Sequence, residues 1–430
     1  IYNIFSAYRN NELNYSSYYP TLPAAELGSQ LQTLGLAPAY SGKAPVIAAA
    51  LPQHPKNVVM ITVESLSADY LGTFGNQQGL TPNLDKLAKE GLLFTNLYAA
   101  GTRTVRGLEA LSLSVPPTPG QSIVRRPGNE NLATLGAALN RSGYHSWYVY
   151  GGYGYFDNMN YYFSHNSYEV VDRSDIPGKD VGFANAWGMS DEYLFAQASR
   201  LLDRETKTGP QFLMVMTTSN HRPYTYPDGR IDIKSPGGRE GAVKYTDYAI
   251  GKFIADARQH SWFKDTVFVI VADHCASSAG KTSLPVYRYH IPAIIYSPDN
   301  IRPQQENRMV SQIDIAPTLL GLLGLPAEPH FFGKDVLHDS SYKPRALIAN
   351  YQEVGYLQDD QLLMLAPHKP ARQFRVENSD GEKEKQTEVA VDPALLKTAI
   401  SYYQGAAEGF RNGSMRLADK DVVRHVTARH

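Results

Sequence analysis

The sequence contains one cysteine, Cys275, in 430 residues, which excludes an internal disulfide and a cysteine-rich zinc site. No stretch approaches the roughly 20 consecutive apolar residues that a membrane-spanning helix needs. A surplus of one charge is also missing: 41 lysines and arginines accompany 42 aspartates and glutamates, so no basic excess favours nucleic acid. Any binding of anions must therefore depend on a local cluster of side chains.

The chain does not begin with methionine, and its opening stretch, IYNIFSAYRNNELNYSSYYP, has neither the basic region nor the apolar core of a signal peptide. We therefore expect it to be part of a longer protein, with a further region upstream. Residues 1–55 are rich in Tyr, Ser, Asn, Ala and Pro and are interpreted as an N-terminal arm with a helix around 24–36.

Residues 56–342 alternate between apolar runs and amphipathic segments, which predicts an α/β domain: a mostly parallel sheet covered by helices on both faces. Buried strands are predicted at NVVMITVES, YHSWYVYGG, PQFLMVMTTSNH, TVFVIVADHC and IPAIIYSP. Helices are predicted at LTPNLDKLAKEG, NLATLGAALNRSG, SDEYLFAQASRLLDRE, YTDYAIGKFIADARQH and IDIAPTLLGLLG.

Residues 343–430 have a different rhythm of short alternating segments, such as ALIANYQEVGYLQDDQLLMLA and ARQFRVEN. A charged loop, SDGEKEKQTE, and a helix at PALLKTAISYYQG follow. This pattern indicates a small antiparallel subdomain after the parallel sheet.

Polar residues directly follow three of the predicted strands: Glu64, Asn220–His221 and Asp273–His274. The carboxyl ends of strands in an open α/β sheet converge on one crevice, so we expect these side chains to meet there. Carboxylate and imidazole groups suit a divalent cation, and a buried carboxylate such as Glu64 needs a positively charged partner. In isolation, Asp273–His274 equally fits a helix-capping aspartate beside an exposed histidine.

The stretch AAGTRTVRGLEA, residues 99–110, is expected to form a turn that carries Thr102 and Thr104 between Arg103 and Arg106. A threonine oxygen would complete a four-ligand site with two acids and one imidazole. A coordinated hydroxyl has a lowered pKa and can attack phosphorus, and a second acceptor can later break the new bond. Turn-forming threonines and solvated arginines are the alternative interpretation.

Several motifs in the same order resemble the alkaline phosphatase and sulfatase superfamily: NVVMITVESLSADY, LTPNLDKLAKEGLLFTNLYAAGTRTVRG, FVIVADHCAS, IPAIIYSP and SQIDIAPTLLGLLG. Within it they are most similar to the extracytoplasmic domain of lipoteichoic acid synthase-type phosphoglycerol transferases, over roughly residues 56–340. The resemblance implies a sulfatase-like α/β/α sandwich followed by the small antiparallel subdomain.

The resemblance also implies that Glu64, Thr104, Asp273 and His274 hold one divalent ion, and that Thr104 is the nucleophile. Mn²⁺ is expected before Mg²⁺ or Zn²⁺. Sulfatases proper carry a Cys or Ser at the nucleophile position within a C/S-x-P-x-R pattern. Here the residues are Thr-Val-Arg without a proline, so sulfate ester hydrolysis is not expected. Cys275 is expected to pack rather than to bind the metal.

Further residues are implied to contact the substrate. His221 matches a histidine that binds the phosphate or moves a proton to the leaving glycerol, with an ordinary loop histidine as the alternative. Phe156 keeps the aromatic residue of an element that grips glycerol phosphate, whereas Asn158 stands where an arginine is expected. Three arginines are interpreted as phosphate partners, with solvated surface as the alternative: Arg103, Arg106 and Arg222.

The implied reaction is transfer of glycerol phosphate from phosphatidylglycerol to a hydroxyl of a glycan or polyol-phosphate acceptor, through a phosphothreonine. We expect the whole protein to be a membrane-anchored monomer of the bacterial cytoplasmic membrane, with this domain in the periplasm or at the extracellular face and no nucleic acid partner.

Three alternatives remain from the sequence. Phosphoethanolamine transferases usually carry several disulfides, so the single cysteine weighs against them. A phosphodiesterase or phosphatase would use the same metal and nucleophile. A lipid- or glycan-binding pseudoenzyme is disfavoured because the Glu-Thr-Asp-His set is intact.

Overall fold

A computed structural model describes residues 14–41, 56–276, 284–379 and 382–418 of the chain. Its strands are β1 (Asn57–Val63), β2 (Leu92–Tyr98), β3 (His145–Tyr150), β4 (Glu169–Val171), β5 (Ala184–Asn185), β6 (Gly188–Met189), β7 (Gln211–Met216), β8 (Thr266–Ala272), β9 (His290–Tyr296), β10 (Gln304–Glu306), β11 (Val310–Ser311), β12 (Ala346–Ala349), β13 (Val354–Gln358), β14 (Gln361–Leu365), β15 (Arg372–Ser379) and β16 (Glu382–Val389).

The α-helices of the same residues lie mostly between these strands. They are α1 (Tyr15–Tyr18), α2 (Ala24–Thr33), α3 (Ala37–Ser41), α4 (Pro82–Glu90), α5 (Thr104–Leu113), α6 (Leu135–Arg141), α7 (Met159–Ser164), α8 (Gly178–Val181), α9 (Asp191–Glu205), α10 (Gly238–Ala257), α11 (Ile315–Leu322) and α12 (Pro393–Arg411).

The largest sheet has nine strands in the order β10-β2-β9-β8-β1-β7-β3-β4, with β11 also paired to β2. β8, β1, β7, β3 and β4 are parallel to their neighbours in that run, and only β9 is antiparallel to the strands beside it. Every residue of β1, β7 and β8 is buried, so both faces of the sheet centre are covered. The predicted mostly parallel α/β sandwich is confirmed.

The predicted helices and strands of this region are observed, but further elements were not predicted: β2, β4, β5, β6, β10, β11, α5, α7 and α8. The apolar run after α4 forms β2, and a helix, α5, begins inside the stretch that we interpreted as a turn. The helix predicted to begin at Tyr245 begins at Gly238, because Ala242 and Val243 are already buried in it. It ends at Ala257. Most of the elements that were not predicted are too short to show a repeating apolar pattern.

The C-terminal region forms an antiparallel sheet in the order β12-β13-β14-β15-β16, which confirms the predicted subdomain. The charged loop predicted at 379–388 is wrong, because most of it is the edge strand β16, paired with β15. Charged residues suit an exposed edge strand, and the ion pair between Arg372 and Glu388 links the two strands at 2.7 Å.

Helix α12 follows the antiparallel sheet and packs against the described part of the N-terminal arm. Gln404 accepts a hydrogen bond from the Leu22 amide at 2.8 Å, and the Tyr40 hydroxyl donates to Glu408 at 3.0 Å. Residues 1–13 and 42–55 of the predicted arm lie outside the described residues. The boundaries placed at 55/56 and 342/343 stay predictions.

Candidate active site

The carboxyl ends of β1 and β8 bring two of the predicted acids together. The strands are parallel neighbours with Val63 opposite Ala272, so the next residues, Glu64 and Asp273, follow side by side. The Asp273 amide donates to the Val63 carbonyl at 3.1 Å, which extends the pairing by one residue. Strand register therefore places both carboxylates at one edge of the sheet.

Glu64, Asp273 and His274 form a buried cluster at this edge. Nε2 of His274 lies 3.7 Å from Oε1 of Glu64 and 3.4 Å from Oδ2 of Asp273. One ligand atom from each residue lies within 4.8 Å of the others. Oδ2 of Asp273 is buried and has no hydrogen-bond partner among the described residues, a costly arrangement that a cation would relieve. The donors and the orphaned oxygen fit one divalent metal ion.

The ionisation of this cluster is strongly perturbed. Burial, together with the negative charge of Glu64, raises the pKa of Asp273 to about 7. Burial acts to lower the pKa of His274, but the charges of Asp273 and Glu64 outweigh it and raise that pKa overall. The nearby positive charge of Arg239 acts in the opposite direction on His274. Binding of a divalent ion would therefore displace protons from Asp273 and His274.

Thr104 lies beside the cluster as the first residue of α5. Its hydroxyl donates a hydrogen bond to Oε2 of Glu64 at 3.1 Å. One helical turn later, a Cβ at Gly107 would lie only 2.3 Å from the carbonyl oxygen of Asp273, so α5 packs directly on the Asp273 backbone. This packing fixes the Thr104 hydroxyl next to the cluster, at the electropositive end of a helix.

Buried polar side chains hold these groups in place. The Ser65 hydroxyl donates to Oε1 of Glu64 at 2.6 Å, and the Ser65 amide donates to Oδ1 of Asp273 at 2.8 Å. Gln312 donates to the carbonyls of Ala272 and Asp273 at 2.9 and 2.8 Å. Ser65 and Gln312 were not predicted, because a single serine or glutamine at an element boundary carries no distinctive pattern.

A cavity of about 1200 Å³ opens over the cluster. Seven of the ten predicted site residues line it: Glu64, Arg103, Thr104, Phe156, His221, Arg222 and His274. Trp187 also lines it, with ring centroids 3.7 Å from His221 and 5.7 Å from Phe156. Nδ1 of His221 lies 3.1 Å from the Arg222 carbonyl, which favours a proton on Nδ1 and a basic Nε2.

Two predicted substrate contacts do not line this cavity. The buried Arg106 forms an ion pair with Glu109 at 2.9 Å and donates to the Thr118 and Gly120 carbonyls. Its role as a phosphate partner is therefore corrected to a structural one. Asn158 donates its amide to the Val124 carbonyl at 2.8 Å, so this side chain does not take the place of the expected arginine.

Arg125, Arg239 and Tyr351 are among the cavity residues that were not predicted as contacts. Arg125 forms an ion pair with Asp157 at 3.1 Å. Arg239 donates to the Tyr224 hydroxyl at 2.7 Å. Tyr351 is half exposed and belongs to the loop between β12 and β13 of the antiparallel sheet. These residues reach the cavity through chain topology, which no local sequence motif reports.

Sequence comparison places this architecture in a known group. The sulfatase family model matches residues 56–325, which include the cluster and Thr104. The chain belongs to the sulfatase family. Among curated relatives, this sulfatase-family chain is 29% identical to phosphoglycerol transferase I of Xanthomonas axonopodis pv. citri over 71% of the chain and 46% of that protein. It is 28% identical to phosphoglycerol transferase I of Salmonella agona over 63% of the chain and 38% of that protein.

Two solved structures have a fold similar to that of this chain. A protein in the alkaline phosphatase superfamily from Vibrio parahaemolyticus is 33% identical, with a TM-score of 0.83 over 94% of this chain and all of that chain. The lipoteichoic acid synthase LtaP from Listeria monocytogenes shares the fold at 18% identity, with a TM-score of 0.69 over 91% of this chain and 98% of that chain. The resemblance inferred from the motifs is confirmed.

The sulfatase-family chain spans less than half the length of the two curated relatives. Among the described residues, no helix combines the length and apolar character required to cross a bilayer.

Proposed function

We propose that this sulfatase-family chain is the catalytic part of a metal-dependent phosphoglycerol transferase. The observation that carries the proposal is the Thr104 hydroxyl, 3.1 Å from Glu64 at the start of α5 and beside a buried cluster that fits a divalent ion. The cavity above it is lined by four arginines: Arg103, Arg125, Arg222 and Arg239. A nucleophile beneath a cationic cavity suits an anionic phosphate ester.

Glu64, Asp273 and His274 would hold the metal, with Thr104 as a further ligand. A divalent ion bound there supplies positive charge that lowers the pKa of the Thr104 hydroxyl and offsets charge on the phosphoryl group. Mn²⁺ is our first choice, before Mg²⁺ or Zn²⁺. The amino-terminal end of α5 adds electropositive backbone groups near the same position.

In the first half-reaction, deprotonated Thr104 attacks phosphorus, an oxygen–phosphorus bond forms, and the bond from phosphorus to the diacylglycerol oxygen breaks. Protonated His221 gives its proton to that leaving oxygen. In the second, an acceptor hydroxyl returns a proton to His221 and attacks phosphorus, and the Thr104 oxygen leaves. His221 lies in the same cavity, and its contact with the Arg222 carbonyl orients the ring for both transfers.

The donor and acceptor are proposed from the relatives. Both curated relatives are named phosphoglycerol transferase I, which supports phosphatidylglycerol as the donor. We propose a hydroxyl of a glycan or polyol-phosphate as the acceptor. We further propose that the whole protein is a membrane-anchored monomer that works at the extracytoplasmic face of the bacterial cytoplasmic membrane.

Mass spectrometry of Thr104 tests the proposal. The Mn²⁺-loaded protein is incubated with phosphatidylglycerol or, separately, phosphatidylethanolamine, without an acceptor. A gain of about 154 Da on Thr104 with the first lipid supports phosphoglycerol transfer, whereas about 123 Da with the second identifies a phosphoethanolamine transferase. Headgroup release to water that is as fast without an acceptor as with one would point to a phosphodiesterase. No adduct and no release would contradict the proposal.

The neighbouring threonine provides a matched control. Thr102 lines the same cavity but forms no hydrogen bond to the metal-binding cluster within the described residues. Thr104→Ala should abolish the adduct while the protein still binds metal through its other ligands, and Thr102→Ala should keep the adduct. Full headgroup release by metal-loaded Thr104→Ala would overturn the covalent route.

A further inference from the structure

Arg239 is a cavity residue whose positive charge is not neutralised by its neighbours. It is the second residue of α10 and lines the cavity above Thr104. Nη2 donates to the Tyr224 hydroxyl at 2.7 Å, and the guanidinium carbon lies 4.9 Å from the centre of the Tyr224 ring. Within the described residues, no carboxylate forms an ion pair with it, and the buried Nη1 has no hydrogen-bond partner.

Three other arginines with largely buried side chains have a carboxylate partner. These pairs are Arg106 with Glu109, Arg141 with Glu328, and Arg345 with Asp314. A buried donor on a charged group that lacks an acceptor costs free energy. Nη1 of Arg141 also lacks a hydrogen-bond partner, but its guanidinium is paired with Glu328. Arg239 is therefore the exception among these four arginines, because within the described residues it has neither an acceptor at Nη1 nor a carboxylate partner. The exception lies at the cavity that contains the nucleophile, where an anionic ligand would supply the missing negative charge.

We propose that Arg239 is a substrate-binding residue that holds an oxygen of a phosphate ester. Tyr224 fixes one side of the guanidinium through a hydrogen bond and ring stacking, so the remaining donors are held in a defined direction. A charge-assisted hydrogen bond from such a preorganised group is strong and directional. Naming the ligand a phosphate ester rests on the proposed function. Two sources share this chemistry: the phosphodiester of the donor lipid and a phosphate carried by the acceptor.

Binding of sn-glycerol 1-phosphate, measured by calorimetry on the Mn²⁺-loaded full chain, tests this role without requiring turnover. Arg239→Gln should weaken binding about 10-fold or more, and Arg239→Lys should recover part of the loss. Arg258 is the matched control, because it also donates to a tyrosine hydroxyl, that of Tyr296, and stacks on that ring, yet it does not line the cavity. Arg258→Gln should leave the affinity unchanged.

Equal affinity in wild type and Arg239→Gln would overturn the inference, even if the wild type releases headgroups as proposed. Weaker binding by Arg239→Gln would support it, even if no variant acts on phosphatidylglycerol, in which case only the proposed function fails. If Arg239→Gln does not fold, chemical modification of wild-type arginines by phenylglyoxal replaces it. The same phosphate ester should then protect Arg239 but not Arg258, and absence of protection would contradict the role.

Two kinetic arms identify the source of the phosphate. Slower formation of the Thr104 adduct by Arg239→Gln in the absence of acceptor assigns the contact to the donor phosphodiester. Normal adduct formation with slow transfer to a phosphate-bearing acceptor assigns it to the acceptor. Unchanged rates in both arms, with unchanged affinity, would refute the contact.

Discussion

The close packing of α5 on the Asp273 backbone predicts a large effect from a single methyl group. In Gly107→Ala the new Cβ would lie 2.3 Å from the Asp273 carbonyl oxygen and 2.7 Å from the carbonyl carbon. Real Cβ contacts are essentially never shorter than 3.0 Å and are ordinary from 3.4 Å, so helix and strand end must separate by about 0.7–1.1 Å. Thr104, one turn earlier in the same helix, moves with it away from Glu64.

A displacement of about 1 Å at a reacting group costs on the order of 100-fold in rate, so adduct formation on Thr104 should slow by about that factor. The loss of stability should be smaller. Overpacking costs about 1–3 kcal/mol, and the better helix propensity of alanine offsets up to about 1 kcal/mol of it. The assay is single-turnover headgroup release from phosphatidylglycerol, accompanied by a thermal unfolding curve of the same variant.

Gly28 provides the matched control, because it also lies inside a helix, α2, and nothing lies within 4 Å of a Cβ built on it. Gly28→Ala should leave the rate unchanged and raise the free energy of unfolding by up to about 1 kcal/mol. If Gly107→Ala reacts within about twofold of wild type, helix packing does not position Thr104, and this reasoning is refuted.

Three further predictions concern the metal, Arg106 and a distant buried pair. Asp273→Asn should lower the amount of bound metal measured by elemental analysis. Removal of the metal from the wild type by a chelator should lower its melting temperature, because a bound ligand stabilises the folded state. An unchanged metal content in Asp273→Asn would reject the proposed ligand set. Arg106→Met should reduce the free energy of unfolding by about 3 kcal/mol, because the buried carboxylate of Glu109 loses its positively charged partner. The folded fraction should keep its affinity for sn-glycerol 1-phosphate. A loss of that affinity in the folded protein would restore Arg106 as a phosphate partner. Burial alone would raise the pKa of Glu328, but the hydrogen bond with His330 and the charge of Arg141 lower it overall. The stabilisation by ionised Glu328 is present above the unfolded-state pKa of about 4.3 and is lost as the pH falls through the lower folded-state pKa. The loss of unfolding free energy caused by Glu328→Gln, measured by urea titration, should therefore shrink as the pH is lowered. A difference that does not depend on pH would contradict this.

The clustering of Glu64 and Asp273 could be predicted because its signal is local. Glu64 and Asp273 each follow a continuous apolar run, and parallel strands in register bring such positions together. The error at Arg106 has an equally physical cause. Once α5 begins at Thr104, a residue two positions later points about 200° around the helix, away from the nucleophile. A turn does not have this helical geometry, so Arg103 and Arg106 were expected to lie equally close to the site.

Other features depended on contacts between distant segments. Asn158 has a left-handed backbone conformation, with φ of 63°, and its amide bonds to Val124, which no periodicity could indicate. Arg239 belongs to a helix that follows β7, and its pairing with Tyr224 depends on the path of the intervening loop. Such positions are set by tertiary packing and are therefore invisible to motif spacing.

Tyr351 and the adjacent Asn350, in a loop of the C-terminal sheet, form part of the cavity wall. The Tyr351 carbonyl accepts a hydrogen bond from the Gly120 amide at 3.0 Å. The sulfatase family model matches residues 56–325, so this portion of the wall lies outside the matched residues. The proposed catalytic groups and this part of the cavity wall therefore belong to different segments of the chain. We expect exchange of the C-terminal sheet between relatives to alter the choice of the proposed acceptor while Thr104, Glu64, Asp273 and His274 stay unchanged.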